Sequence, residues 1–217
     1  MAIPVMILGD SGTGKSRSVK TLNPQETLII QPITKPLPFK SKGWNVWDSG
    51  KKQGSKIHTE SYGMITKIID MAESYGKKYI VIDDAQYLML NDELKRTDET
   101  GFKKFTDMAK SYVELIKFIT NHPSKLIVYL MTHTETNDQG EIKAKTTGKM
   151  IREKVVLEGL FSIVLRCQSK DGKHFFSTKT NGLDCVKTPE EMFDENEIEN
   201  DLTLVNQAII NYGYLEY

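Results

Sequence analysis

The chain has 217 residues, enough for one α/β domain with a full core, and its 29 basic and 29 acidic side chains cancel. That balance excludes a global electrostatic field as the means of holding nucleic acid, so any such contact must come from a local patch. Cys167 and Cys185 stand apart, without a CxxC or a His or Cys at zinc spacing, and the longest apolar runs, such as LIVYLM at Leu126 to Met131, are too short to span a bilayer. A soluble protein of the reducing cytoplasm, with no membrane contact, is the expectation, since no charged start and apolar leader opens the chain.

In chain order, the apolar run IPVMIL predicts a first strand at Ile3 to Leu8, followed by the glycine-rich GDSGTGKS from Gly9 to Ser16 and a helical segment, KSRSVKTL. A second strand is expected at Thr27 to Gln31. Pro32 to Ser55, punctuated by Pro36, Pro38, Gly43, Gly50 and Gly54, reads as a loop with a short strand at Asn45 to Trp47. Tyr62, Ile65, Ile69 and Ala72 recur at helical spacing before a strand at Tyr79 to Ile82, and Phe105, Met108, Ala109, Tyr112, Ile116 and Ile119 form a longer helical stripe. Further strands are expected at Leu126 to Met131, Ser162 to Cys167 and His174 to Thr178. An acidic stretch from Pro189 to Asp201 leads into an amphipathic segment, with Leu202, Val205, Ile209 and Tyr212, that is expected to pack on the core. Strands of near-continuous apolar character alternating with helices predict a mainly parallel sheet covered on both faces, in a single domain spanning residues 1–217.

The glycine-rich loop fits G-x-x-x-x-G-K-[ST], in which backbone N–H groups turn inward around phosphate oxygens. On this reading Gly9, Asp10, Ser11, Gly12, Thr13, Gly14, Lys15, Ser16 and Arg17 line a bound nucleotide. Lys15 reaches the β- and γ-phosphates, Ser16 ligates Mg²⁺, and the following helix points its positive end at the anion. A second motif, YIVIDDAQYL, delivers Asp83 and Asp84 to the carboxyl end of a strand, where open α/β sheets place their ligands. Asp83 is the metal candidate and Asp84 the candidate base that orients an attacking water. In phosphate-loop enzymes with an extra strand between these two motifs, that strand lies beside the loop. Here LIVYLMTHTE puts Thr132, His133 and Thr134 at its tip, with His133 as either a γ-phosphate sensor or a packing residue. His58, His122 and His174 lack partner spacing and read as structural. Beyond the tip, EIKAKTTGKMIREK carries Lys143, Lys145, Lys149, Arg152 and Lys154. Together with Lys95, Arg96, Lys103 and Lys104 further upstream, these are either phosphate contacts to single-stranded DNA or a solvated face.

Taken in order, GDSGTGKS, YIVIDDAQYL, LMTHTE, the hairpin ending FFSTKTNG and the closing TPEEMFDENEIENDLTLVNQAI resemble the RecA-like P-loop ATPases encoded by phages, a group that includes single-strand annealing and recombination proteins. The resemblance implies a RecA-like core with a late β-hairpin, ATP and Mg²⁺ as cofactors, and a host-cell cytoplasmic setting. It further implies assembly into rings or filaments on single-stranded DNA, and a replication or recombination partner. It also makes Lys179 either a finger that reaches a neighbour's γ-phosphate or a solvated lysine. The chain departs from the pattern where such enzymes carry a catalytic glutamate: after Leu28 to Gln31 comes PITKPLPFK, with no acid before Asp48. Slow hydrolysis, or reliance on Asp84, follows. Two other readings are an ATP-switched adaptor or helicase loader and a small-molecule kinase. The kinase is disfavoured because Arg17, Arg96, Arg152 and Arg166 are too few for the usual arginine clamp.

Overall fold

The strands at the centre of the sheet are apolar at consecutive positions, and the computed structural model, which describes residues 1–148, 151 and 155–216, shows why. The sheet is covered on both faces. Successive side chains of a strand point to opposite faces, so Met6 and Leu8, Leu28 and Ile30, Ile80 and Ile82, and Val128 and Leu130 bury into one core. Val5, Ile7, Ile29, Val81, Ile127, Tyr129 and Met131 bury into the other. Each fully buried aliphatic contributes roughly 1.5–3 kcal/mol relative to exposure, which makes both cores indispensable.

The strands are β1 (Ile3–Leu8), β2 (Thr27–Gln31), β3 (Lys56–His58), β4 (Tyr79–Ile82), β5 (Ile127–Thr132), β8 (Ile163–Lys170), β9 (Lys173–Ser177) and β10 (Glu197–Glu199). A separate hairpin is formed by β6 (Thr134–Thr136) and β7 (Ile142–Ala144). The main sheet runs β10-β9-β8-β1-β5-β4-β2-β3, parallel except for the antiparallel pairs β8–β9 and β9–β10. The expected α/β class with a late hairpin is the observed one. β5 lies between the strand that feeds the glycine-rich loop and the strand that ends in the acid pair, with Leu8 level with Thr132 and Ile82 level with Leu130.

The helices are α1 (Tyr62–Ala72), α2 (Gln86–Lys95), α3 (Lys103–Asn121) and α4 (Leu202–Asn211). α1 starts where the Ser61 hydroxyl accepts from the Met64 amide, and it buries Ile65, Ile69 and Ala72. α3 buries the predicted stripe, Met108, Ala109, Tyr112, Ile116 and Ile119 included, against the same face. α4 is capped by the Asp201 carboxylate and seats Leu202, Val205 and Ile209 in the second core, while Tyr212 stays exposed. The C-terminal segment therefore packs on its own sheet. No helix among the described residues is long and apolar enough to cross a membrane.

The helical segment expected after the glycine-rich loop is present as a six-residue 3₁₀ helix, Ser16–Thr21. The Ser18 hydroxyl bonds the Lys15 carbonyl at 2.6 Å and the Thr21 hydroxyl bonds the Ser18 carbonyl at 3.0 Å, which draws those acceptors from an i→i+4 ladder. Asn45 to Trp47 is not a strand. Val46 makes a single bridge to Lys56, beside the strand that does form, β3. The strands β3, β6, β7 and β10 and the helix α2 were not expected: three-residue strands such as EIE carry no apolar run. The strands expected at Ile3 to Leu8, Thr27 to Gln31 and Tyr79 to Ile82 have the expected bounds, and the ends of the other three shift by one to three residues.

Lys77, just ahead of β4, is buried, and its ammonium donates to the carbonyls of Pro24, Gln25, Thr27 and Gly54 at 3.2, 2.8, 3.1 and 2.7 Å. Four oxygens compensate its desolvation, although burial still lowers its pKa. The bonds fasten the end of the long β2–β3 connector to the start of β2.

A candidate phosphate-binding site

At the carboxyl end of the sheet, β1 releases the chain into the glycine-rich loop. Gly9 cannot carry a side chain, because a Cβ there would lie 2.6 Å from the Thr13 hydroxyl and 2.8 Å from the Cys167 carbonyl. Gly14 holds φ +107°, and a Cβ on it would meet the His174 ring at 2.8 Å. The loop is thus wrapped against the β8–β9 hairpin. His174 Nδ1 lies 2.7 Å from the Thr13 carbonyl, and the Cys167 thiol donates to the same oxygen at 3.0 Å. Burial pushes that thiol up to about 11, which keeps it a donor. Arg17 Nη1 donates to Asn200 Oδ1 at 3.1 Å, tying the loop to the segment just after β10.

Lys15 is 5 % exposed, and its ammonium bonds the carbonyls of Gly9 and Asp10 at 2.7 and 3.0 Å. Burial lowers its pKa, against the opposing field of Asp84. The next residue reaches the second motif: the Ser16 hydroxyl donates to Asp83 Oδ1 at 2.7 Å. Asp83 is 2 % exposed and its other oxygen, Oδ2, is buried with no hydrogen-bond partner, so burial pushes its pKa up. A hydroxyl, a carboxylate and an unpartnered carboxylate oxygen form the hard oxygen set that Mg²⁺ takes, and the residues present therefore fit that ion. The six-residue 3₁₀ helix adds little dipole, so attraction for an anion comes from the loop amides and Lys15.

Asp84 follows in the left-handed region, at φ +57°, a conformation that aspartate tolerates better than most residues. One of its oxygens is ion-paired with Lys35, and the other lies 3.4 Å from His133 Nε2. Lys35 also stands 3.7 Å from Asp83 Oδ2. Burial works against the charge on Lys35, but the two carboxylates outweigh it and hold its pKa above the ordinary lysine value. His133 moves the other way: burial and then the Lys15 charge lower its pKa, so the ring is neutral at pH 7.

Ser11, Gly12, Gly14, Lys15, Ser16, Arg17, Asp84 and His133 line one cleft of about 360 Å³, closed on its other sides by Lys35, Pro36, Pro38 and His174. The two motifs and the β5 tip thus converge. Lys35 and Gln86 carry no signal in the sequence, while Thr134 reads there only as part of the polar strand tip and His174 only as a structural residue. The Thr134 hydroxyl donates to Asp10 Oδ1, and Gln86 Oε1 accepts from the His133 amide at 3.3 Å, so the tip is held from both sides. Gly-rich spacing flags none of them.

Other candidates lie elsewhere. Asp48 caps its own turn, accepting from the Gly50 and Lys51 amides at 2.9 and 3.1 Å, and does not line the cleft. Lys179 is exposed beyond β9, donates to the Asp194 carbonyl at 3.0 Å and does not line the cleft either. Lys143 pairs with Glu141 at 2.8 Å on the β6–β7 hairpin, and Lys145 is exposed, its amide bonded to the His133 carbonyl at 2.7 Å. Lys149, Arg152 and Lys154 lie outside the described residues.

Among solved structures, the chain is similar to a KaiC-like protein of the hyperthermophilic archaeon Pyrococcus horikoshii OT3, with 14% sequence identity and a TM-score of 0.48, over 90% of this chain and 83% of that one. No protein-family model matches the chain. No curated protein matches it. The likeness concerns the fold alone, and the chemistry of the cleft rests on its own geometry.

Proposed function

We propose that the protein is an ATPase that binds Mg-ATP in this cleft, and that its nucleotide state governs self-assembly into a ring or filament on single-stranded DNA in recombination or replication. The observation that carries the ATPase reading is the 2.7 Å contact between Ser16 and Asp83, which joins the loop to the acid pair across β5. Ser16 and Asp83 would hold Mg²⁺, which supplies positive charge against the phosphoryl oxygens when bound. The loop amides from Gly9 to Ser16 cradle phosphate oxygens. Lys15 exchanges its two carbonyl acceptors for the β- and γ-phosphates. Asp84 and the neutral His133 ring, 3.4 Å apart, orient a water for in-line attack, and His133 is the γ-phosphate sensor. Lys179, which does not line its own cleft, serves as the finger for a neighbour in the assembly.

The DNA part of the reading rests on the family resemblance and on Lys143 and Lys145, carried on a hairpin that begins at the cleft; Lys149 and Arg152 belong to the same proposed surface. One observation favours the adaptor as a second reading. Glu135, Asp138, Glu141 and Glu158 line, together with Lys143, a cleft of about 490 Å³ beside the hairpin, a setting better suited to a protein partner than to a phosphate backbone.

The deciding experiment is nucleotide titration of Lys15→Ala with circular dichroism as the folding control. Removing a charge-assisted contact should weaken ATP about tenfold to a hundredfold. Unchanged affinity in a folded variant would sink the phosphate-loop reading. Gel filtration and anisotropy with and without ATP and an oligonucleotide then separate assembly on DNA from an adaptor, which would bind no DNA in any nucleotide state.

A further inference from the structure

Two adjacent buried carboxylates, Asp84 lining the cleft and Asp83 beside it, need a positive partner, because burial of uncompensated charge is costly. Lys15 contacts neither acid; its ammonium is committed to the Gly9 and Asp10 carbonyls. Lys35 contacts both, paired with Asp84 and 3.7 Å from the unpartnered Oδ2 of Asp83. Its side chain is 37 % exposed, so the ammonium enters the acid pair from the solvent side of the cleft, on the first residues of the β2–β3 connector.

We propose that Lys35 is the protein's own stand-in for a divalent cation: its ammonium neutralises Asp83 and Asp84 until a metal ion takes the Asp83 oxygens and displaces it. The inference rests on the reading of Ser16 and Asp83 as the metal's holders. Three observations support it. The Asp83 oxygen nearest Lys35 is nine-tenths buried and has no hydrogen bond, so the ammonium balances its charge from beyond hydrogen-bonding distance and leaves its lone pairs open. Ser16 already bonds the other oxygen, which completes a hard donor set only when a metal, not an ammonium, sits there. An ammonium and a divalent ion beside the same carboxylates repel, so the two states exclude each other. Exchange moves the positive charge from the connector to the nucleotide and frees Lys35, with Pro36 and Pro38 behind it, on the wall facing the phosphates.

The test uses Mn²⁺ alone, titrated by electron paramagnetic resonance into the full-length protein without nucleotide. Lys35→Met should bind Mn²⁺ about tenfold or more tighter than wild type, because the competing charge is gone. Lys35→Arg should behave as wild type, and adding Asp83→Asn to Lys35→Met should abolish the gain. Lys35→Gln serves if the methionine variant does not fold, with the same expected gain. Equal Mn²⁺ affinity in wild type and the folded neutral variant, whether tight or absent in both, overturns the proposal. ATP takes no part in this measurement, so a failed Lys15→Ala test would be a separate result.

Discussion

Replacing Gly14 with alanine perturbs the phosphate loop in two separable ways. Its φ of +107° is outside the region an L-residue adopts comfortably, which costs about 1–2 kcal/mol. The new methyl would also lie 2.8 Å from His174 Nδ1 and 2.9 Å from its Cγ, an overpacking worth a further ~1–3 kcal/mol. In wild type the sum is about 2–5 kcal/mol. In a His174→Ala background the ring is gone, leaving only a Cβ at 3.2 Å, so the cost should fall to the backbone part, about 1–2 kcal/mol. His174→Ala alone loses the contact to the Thr13 carbonyl, about 0.5–1.5 kcal/mol. Urea unfolding of the four proteins at constant m gives the coupling directly, and about 1–3 kcal/mol is expected. A coupling indistinguishable from zero would mean that the β8–β9 hairpin does not brace the loop, and the account of the site's walls would fail with it.

Asp83→Asn should stabilise the fold at neutral pH while weakening metal-dependent nucleotide binding. The folded pKa is raised above the unfolded value, so Asp83 favours the fold below the ordinary carboxylate pKa and loses that contribution as pH rises through its raised value. The melting-temperature gain of the variant should therefore grow with pH across that window, and a gain that shrinks with rising pH would contradict it. Lys77→Met removes a cation that bonds four carbonyls and strands those acceptors, and should cost about 3–5 kcal/mol in urea unfolding; a loss under 1 kcal/mol would show that the ammonium is solvated.

Much of the scaffold was legible because the strands that carry the loop and the acids are apolar without interruption, and no helix or loop competes for IPVMIL or YIVI. The loop and the acid pair could be read as chemistry because their spacing in sequence is local. Lys35 and His174 could not. Each acts through a contact between segments 49 or more residues apart, and neither has a neighbour in sequence that marks it. The tip of β5 was half legible: His133 stands out for its ring and lines the cleft, whereas the side chain that bonds the loop is Thr134, one position on. The helix after the loop was legible as a helix but not as a 3₁₀ one, because its serine and threonine hydroxyls take up backbone acceptors, a competition that apolar periodicity does not register.

The ammonium cage of Lys77 has a mechanical consequence. It pins the connector at Gly54, and the bonds from the Ser55 and Lys56 amides to the Asn45 carbonyl extend that anchorage back to the buried Trp44. At its other end the connector leaves β2 through Gln31, whose side chain bonds the Lys35 carbonyl at 3.2 Å. The segment that bears Lys35 is therefore a short span between fixed abutments. A charge exchanged at its near end would act on a segment tethered at both ends rather than on a free flap.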